Sequence, residues 1–380
     1  MFIIKTSKYP IGIDLSDTSL KAVQLNGKKD KLFIQAINKI SLPDGVIAEG
    51  EIQKPEVLAK SLNLLLDKPK FGVFSSKNIV ANLPQTKSYI KIIEIDNGPN
   101  DISDSIENEI ENHIPLALNE IFYDWQIVKK TKNKNIILIG AAPKNIINQY
   151  VDVFKRAKLS INAFETESIA NARALLEEER PKFNKNDAAS YGIIDIGAKR
   201  AAMAIYTKNT LVFTISMPIS GQEVTEKISK ILEITQDQAE KAKIICGLDE
   251  TKAKGIINEV LSDNIKKLNN KISEALEFYA NHYPEYETIK KIILTGGGAA
   301  IKKLDKLIEK STSIEAEQGK IADNLIINDK IIDKIFIETH NLSNKIIKNS
   351  KNQNLSAKQN SILGYTTAIG LAMRNIYLDI

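Results

Sequence analysis

Along residues 11–39, β-branched residues alternate with polar ones in the period of two that marks half-buried strands, and the pattern predicts strand, turn, strand, strand. Pro55 then opens a helix whose Val57, Leu58, Ser61, Leu62 and Leu65 recur at helical spacing until Pro69 closes it. Residues 78–83 read as another buried strand. From Ser88 to Glu165 the pattern becomes that of a small self-contained unit. A strand at 89–95 precedes a helix in which Ile102, Ile106 and Ile110 stack opposite an acidic face, stopped by Pro115. Strands at 121–130 and 136–142 follow, and Pro143 suits the first turn of a helix with Ile146, Ile147, Tyr150, Val151 and Phe154 on one face. This stretch reads as an α+β insertion.

The second half opens with a helical segment at 167–179 and a polar stretch at 181–190 that reads as a linker. A second hairpin, a strand at 210–216 and a turn at 218–221 come next. Val224, Ile228, Ile231 and Leu232 mark one helix, and Thr235 with Gln238 three residues on marks the capped start of another. A long amphipathic helix at 256–283 stops at Pro284, and a strand at 289–294 runs into Thr295-Gly296-Gly297-Gly298-Ala299 and a helix from Ile301. Residues 311–360 carry no clear period, and the Asn, Lys, Ser and Gln of 341–360 predict a mobile loop. Leu363, Ala368, Leu371 and Ala372 pattern a closing buried helix over 361–376.

Composition narrows the class. A chain of 380 residues exceeds one compact core and implies two domains. An apolar share of 43% with 26% charged residues is that of a soluble globular protein. The 52 basic residues oppose 47 acidic ones, and a net charge of +5 assigns no nucleic-acid role. Cys246 stands alone, which excludes an internal disulfide and points to a reducing compartment. His113, His282 and His340 are too far apart in sequence, and too poor in partners, for a zinc site. The N-terminus lacks the pattern of a signal peptide, and no apolar run approaches the roughly 20 residues that span a bilayer. The expected location is the cytoplasm.

One feature repeats. Gly12-Ile13-Asp14-Leu15-Ser16-Asp17-Thr18-Ser19-Leu20-Lys21 and Gly192-Ile193-Ile194-Asp195-Ile196-Gly197-Ala198-Lys199-Arg200 are each an apolar strand ending in aspartate, a tight turn and a returning strand. A turn of small residues can aim successive N–H groups at an anion, and a carboxylate at the strand end can hold a hydrated divalent cation. Two copies imply homologous halves facing each other across a cleft. The glycine run at 296–298, between strand and helix, lets backbone approach a phosphate or a flat ligand closely.

The order strand-Asp-turn, helix pair, strand-Gly-Gly-Gly resembles the actin, sugar-kinase and heat-shock chaperone superfamily. Within it, Ile11-Gly12-Ile13-Asp14, Tyr123-Asp124-Trp125, Ala141-Ala142-Pro143-Lys144 and Glu167-Ser168-Ile169-Ala170-Asn171-Ala172-Arg173 are similar to the PilM family of type IV pilus assembly, a relative of the division protein FtsA. Pro218-Ile219-Ser220-Gly221, Gln238-Ala239-Glu240-Lys241-Ala242-Lys243 and Gly364-Tyr365-Thr366-Thr367-Ala368-Ile369-Gly370 extend the likeness over the second half. The resemblance implies an α/β, actin-like, ribonuclease-H-like duplicated two-domain fold with an inserted small α+β subdomain. Its expected parts are 1–87 with 166–185, the insertion at 88–165, a second domain at 186–360, and a final helix at 361–380 on the first domain.

The resemblance further implies ATP and Mg2+ as cofactors. Asp14 and Asp195 would orient magnesium through water, and Gly12, Ser16, Thr18, Ser19 and Lys21 would meet phosphates. Gly197, Lys199 and Gly221 would complete the second phosphate loop, Glu240 and Lys243 would reach ribose and base, and Gly296, Gly297 and Gly298 would underlie the adenine or α-phosphate. Lys199-Arg200 stands where the family has small hydroxyl residues, and no strong base for a hydrolytic water is evident, so at most slow hydrolysis is expected. The implied partner is the cytoplasmic N-terminal segment of a PilN-like bitopic membrane protein, taken up beside the insertion, with the membrane reached through that partner. The alternatives on this fold are an FtsA-like division protein, a type II secretion platform component and a small-molecule kinase.

Overall fold

The computed structural model describes residues 9–28, 30–96, 102–176, 189–207, 210–284, 286–340 and 361–377. The expected linker, apart from Ala189 and Ser190, and the expected mobile loop at 341–360 lie outside them. The opening alternation folds as the antiparallel meander β1 (Ile11–Leu15), β2 (Ser19–Lys28) and β3 (Lys31–Ser41). All five residues of β1 are buried, because helices cover both faces of the sheet at its centre. A small hairpin, β4 (Ile47–Ala48) and β5 (Glu51–Ile52), precedes α1 (Pro55–Asp67), whose first residue is the proline that needs no intrahelical donor. β6 (Phe71–Gly72) pairs with β3, and β7 (Asn78–Leu83) runs parallel to β1.

The inserted unit has a sheet and core of its own. β8 (Tyr89–Asp96), α2 (Ile102–His113), β9 (Ile121–Lys130) and β10 (Lys134–Pro143) form an antiparallel sheet in the order β8-β10-β9 with one helix on it. Ile93, Ile106, Ile110, Ile137 and Ile139 fill the space between them. The unit ends sooner than 165. Ile146, Tyr150, Val153 and Phe154 of α3 (Lys144–Arg156) pack on α1 and β1, and β11 (Ser160–Thr166) pairs parallel with β7 in the first sheet. Pro143 closes β10 and caps α3 from outside its first turn.

After α4 (Glu167–Leu175) the architecture repeats. β12 (Ser190–Ile196), β13 (Ala201–Thr207) and β14 (Thr210–Met217) form the second meander. α5 (Gly221–Leu232), α6 (Gln236–Cys246) and α7 (Ile256–His282) lead to β15 (Ile289–Thr295), parallel to β12, then α8 (Leu304–Thr312) and β16 (Glu315–Gln318). The strand order β14-β13-β12-β15-β16 matches β3-β2-β1-β7-β11 of the first sheet, meander first and parallel strands after. The chain leaves this domain well before 360. β17 (Leu325–Ile326) pairs with β3, and Ile331 and Ile335 of α9 (Asp329–His340) join the core under β2 and β3.

The last helix, α10 (Thr366–Tyr377), lies against β1 and α4 at backbone contact. A β-carbon on Gly12 would sit 2.2 Å from the Ala368 carbonyl oxygen, and one on Gly370 would sit 1.8 Å from that of Ala170. Arg173 of α4 locks the crossing, donating to the Gly370 carbonyl at 3.0 Å and holding both oxygens of Glu165 at 2.6 Å. Because α4 also sends Ala172 and Leu175 into the second core, the two helices join the halves. Gly370→Leu is expected to lower unfolding free energy by about 3 kcal/mol in chemical denaturation, the upper range for overpacking. Gly140→Ala, where an added β-carbon meets nothing within 4 Å, is expected to change it by under about 0.5 kcal/mol.

Candidate functional site

The first hairpin is held by its own serines. The Ser16 amide and hydroxyl both donate to the Ser19 carbonyl at 3.0 Å, and the Ser19 amide donates back to Ser16 Oγ at 3.1 Å. The turn therefore uses its hydroxyls to fix its shape before any ligand arrives. Asp14 sits directly across the ladder from Lys21, and the ammonium meets Asp14 Oδ2 at 2.8 Å. Burial alone would lower the Lys21 ammonium, but Asp14, with help from Asp195 and Glu167, carries it above its ordinary value.

The second hairpin has the same path and different chemistry. Ala202 stands across the ladder from Asp195, so no lysine pairs with this carboxylate. Asn171 of α4 donates to Asp195 Oδ2 at 2.8 Å instead, and Thr367 of α10 fixes that amide by donating to its oxygen at 3.0 Å. Burial nonetheless pushes the Asp195 carboxyl up. The turn is seated on the start of α5, where the Gln222 amide and the Ser220 hydroxyl donate to the Ala198 carbonyl at 2.8 and 2.9 Å. Its two cations reach across to the first domain, Lys199 to Asp17 at 3.8 Å and Arg200 to Glu49 at 2.9 Å.

Between the hairpins lies Glu167, the first residue of α4. Asn82, at the end of β7, donates to Glu167 Oε1 at 2.8 Å and exchanges two hydrogen bonds with the Leu15 backbone. Burial, then the charges of Asp14 and Asp195, push Glu167 up to about 8. Sequence reasoning assigned no role to Glu167, Asn82 or Asn171. The available signal was a carboxylate at the first turn of a helix that directly follows the parallel strand β11.

These groups share one cleft of about 600 Å3, lined by Asp14, Ser16, Thr18, Ser19 and Lys21 from one side and Asp195, Gly197 and Lys199 from the other. Gly296 and Gly297 form its floor beside Asp195. Gly296 has φ +80, and a β-carbon there would lie 2.2 Å from Asp195 Oδ1, so the backbone takes the place of a side chain. Glu240 lines the far wall. Lys243 is turned away from the opening, with its ammonium on Gly221 O at 2.9 Å, Thr225 Oγ1 at 2.8 Å and Glu240 Oε2 at 2.6 Å. Gly12 faces α10, and Gly298 packs on Ile196, where a β-carbon would come within 2.2 Å. Gly221 lies behind the second turn, next to Gly197 O and Lys243.

Turn amides, hydroxyls and cations on both walls suit a polyphosphate, while the buried carboxylates suit a cation. Among the described residues no three His, Cys, Asp or Glu side chains are grouped to hold a metal ion directly. A cation between Asp14 and Asp195 would therefore keep much of its water, as magnesium does.

The family model for the type IV pilus assembly protein PilM matches residues 12–376. The solved PilM-PilN type IV pilus biogenesis complex superposes with a TM-score of 0.76 at 17% identity, covering 97% of this chain and 98% of that one. Ethanolamine utilization protein EutJ from Carboxydothermus hydrogenoformans superposes at 0.54 with 13% identity, over 96% and 89% of the two chains. These likenesses carry the fold, which is the duplicated actin-like α/β fold that the sequence predicts. Cell division protein FtsA of Streptococcus pneumoniae serotype 2 (strain D39 / NCTC 7466) is 20% identical over 262 residues, 62% of this chain. The chain spans about half, 55%, of that relative's length. With a match that runs over nearly all of its length, the chain belongs to the PilM family of type IV pilus assembly proteins.

Proposed function

We propose that this protein is an ATP-binding scaffold of the type IV pilus inner-membrane platform, with its inserted unit taking up the N-terminal cytoplasmic segment of a PilN-like bitopic membrane protein. The observation that carries the nucleotide reading is the pair of hairpin carboxylates, Asp14 and Asp195, lining one cleft with the serine turn and the Gly296-Gly297 floor. Asp14 and Asp195 would hold hydrated magnesium, and that ion would supply charge neutralisation to the phosphates. Ser16, Thr18, Ser19 and Lys21 would orient the terminal phosphates from one side, and Gly197 and Lys199 from the other. Glu240 would meet the ribose, with Lys243 holding its carboxylate in place. Among the described residues no helix is long and apolar enough to cross a membrane, which fits attachment through the partner. In the solved complex that partner is PilN.

Glu167 bears on turnover. With its carboxyl pushed up to about 8, it holds its proton in the metal-free cleft and becomes available as a base only once that proton leaves. With Lys199 and Arg200 on the second turn, hydrolysis is at most slow in this reading, and the protein acts as a switch whose nucleotide biases partner affinity.

Asp14→Ala and Asp195→Ala are each expected to weaken Mg-ATP binding at least tenfold by calorimetry, and unchanged affinity in both would rule out the cleft. A synthetic peptide from the partner's cytoplasmic N-terminus is expected to bind with different affinity when Mg-ATP is present, and equal affinities would remove the linkage. The third test concerns protons. From about pH 4.5 to 8 the folded state keeps the Glu167 proton that the unfolded chain releases, so this group's contribution is complete below that window and fades as pH rises through it. In metal-free buffer Glu167→Gln should gain about 3 to 4 kcal/mol relative to the parent between pH 5 and pH 8. Parallel stability curves would show that the carboxyl ionises normally.

A further inference from the structure

The tip of the β4–β5 hairpin touches every part of the molecule that would have to move together. Glu49 at φ 52 and Gly50 at φ 79 form its left-handed turn. Their amides donate to the Asp17 carboxylate at 3.1 and 3.3 Å, tying the tip to the first phosphate turn. Across the cleft, Arg200 meets Glu49 at 2.9 Å and Lys199 meets Asp17 at 3.8 Å. Both pairs join the two domains through the cations of the second turn.

The hairpin's other side faces the stem of the inserted unit. Lys87 forms an ion pair with Glu51 at 2.5 Å, and Thr86 Oγ1 donates to the Glu49 carbonyl at 3.4 Å. Gly50 lies against Pro84, where a β-carbon would sit 2.4 Å away, so the tip cannot move toward the stem without displacing it, while the Lys87 and Thr86 contacts draw the stem along when the tip moves away. From behind, Tyr150 of α3 donates to the Gly50 carbonyl at 3.0 Å.

We propose that the β4–β5 hairpin is a closure relay: the Asp17–Lys199 and Glu49–Arg200 pairs latch the cleft, and the hairpin tip transmits the latched state to the stem of the inserted unit at Pro84–Lys87. The device needs no nucleotide, so it is tested on nucleotide-free protein and stands or falls apart from the ATP reading. The pairs are partly exposed, with Glu49 79% and Arg200 35% accessible, so the latch shifts a population by a few-fold and does not lock it.

The test is charge reversal. Spin labels at Lys60→Cys and Lys230→Cys, in a Cys246→Ser background, report the distance between α1 and α5, and hydrogen exchange reports the Lys87 amide, bonded to the Pro84 carbonyl at 2.9 Å. Glu49→Arg and Arg200→Glu should each raise the open fraction about 3- to 5-fold and speed exchange at Lys87 by a similar factor. The double reversal Glu49→Arg with Arg200→Glu should return both readouts to within twofold of the parent. If a reversal leaves the distance unchanged, or the double variant stays open, the latch is wrong. If the cleft opens while Lys87 exchange is unaltered, the relay is wrong. Should a reversal fail to fold, Glu49→Gln and Arg200→Gln, read in low and high salt, are expected to show the same opening with a smaller response to added salt than the parent, and a salt response equal to the parent's would overturn the latch.

Discussion

Three carboxylates, Asp14 buried and Asp195 and Glu167 half-buried, gather around the Lys21 ammonium, and that imbalance governs the cleft. Asp14, Asp195 and Glu167 converge from a strand of each domain and from the helix between them, and Lys21 alone opposes them directly. Unpaired charge in such a place is costly, and it is met in three ways. Lys21 pairs with Asp14 at 2.8 Å, Asn171 and Asn82 donate to the other two carboxylates, and Glu167 keeps its proton. A hydrated dication would do what that proton does. Proton and cation would then compete for one site, and arrival of the proposed cation would free a carboxylate that is otherwise neutral.

The duplicated fold explains why the carboxylates face one another but not why they differ. The repeated strand order puts Asp14 and Asp195 at matching strand ends, β1 and β12, and both line the one cleft. Register decides the rest: the position across from Asp14 is Lys21, and the position across from Asp195 is Ala202. The first half supplies its cation on a strand, where it is held by its own aspartate. The second supplies Lys199 and Arg200 on a turn, where they are free to reach over the cleft. The halves share a backbone and divide the electrostatic work.

Local pattern made much of the fold legible. The meander, the proline-started helix α1 and strand β7 are where alternation and proline place them, since each is set by neighbours in sequence. What pattern could not supply was destination. β11 follows α3 with no mark of which sheet it rejoins, and its pairing with β7 reaches back to Asn78. β17 is two residues long and returns to β3 from the far side of the second domain. The same limit hid Glu167, whose role arises from Asn82, 85 residues away, and from the aspartates of both halves. Asp14 and Asp195 were visible because the hairpin that positions each is contiguous with it. Gly12 and Gly298 sit in the same motifs, but their missing β-carbons admit α10 and Ile196, contacts that only the assembled chain defines.

The contacts between the halves are of two strengths, and the difference fixes which motion costs least. At the base, α4 and α10 cross at backbone contact and hold the second half through Asn171 on Asp195 at 2.8 Å, Thr295 on Thr366 at 2.8 Å, and Ala172 and Leu175 in its core. Opening there would expose apolar surface and unpair buried hydrogen bonds. At the mouth, the pairs from Lys199 and Arg200 are partly wet and individually weak. A firm pivot below a weak latch leaves rotation about the two helices as the easy coordinate, and the groups spanning its wide end are the two hairpin turns and Glu49. Small free-energy differences at that end suffice to set the population of closed molecules. The inserted unit is rooted at the same end through Pro84, Thr86 and Lys87, which puts the part proposed to take up the partner segment where the coordinate has its largest amplitude.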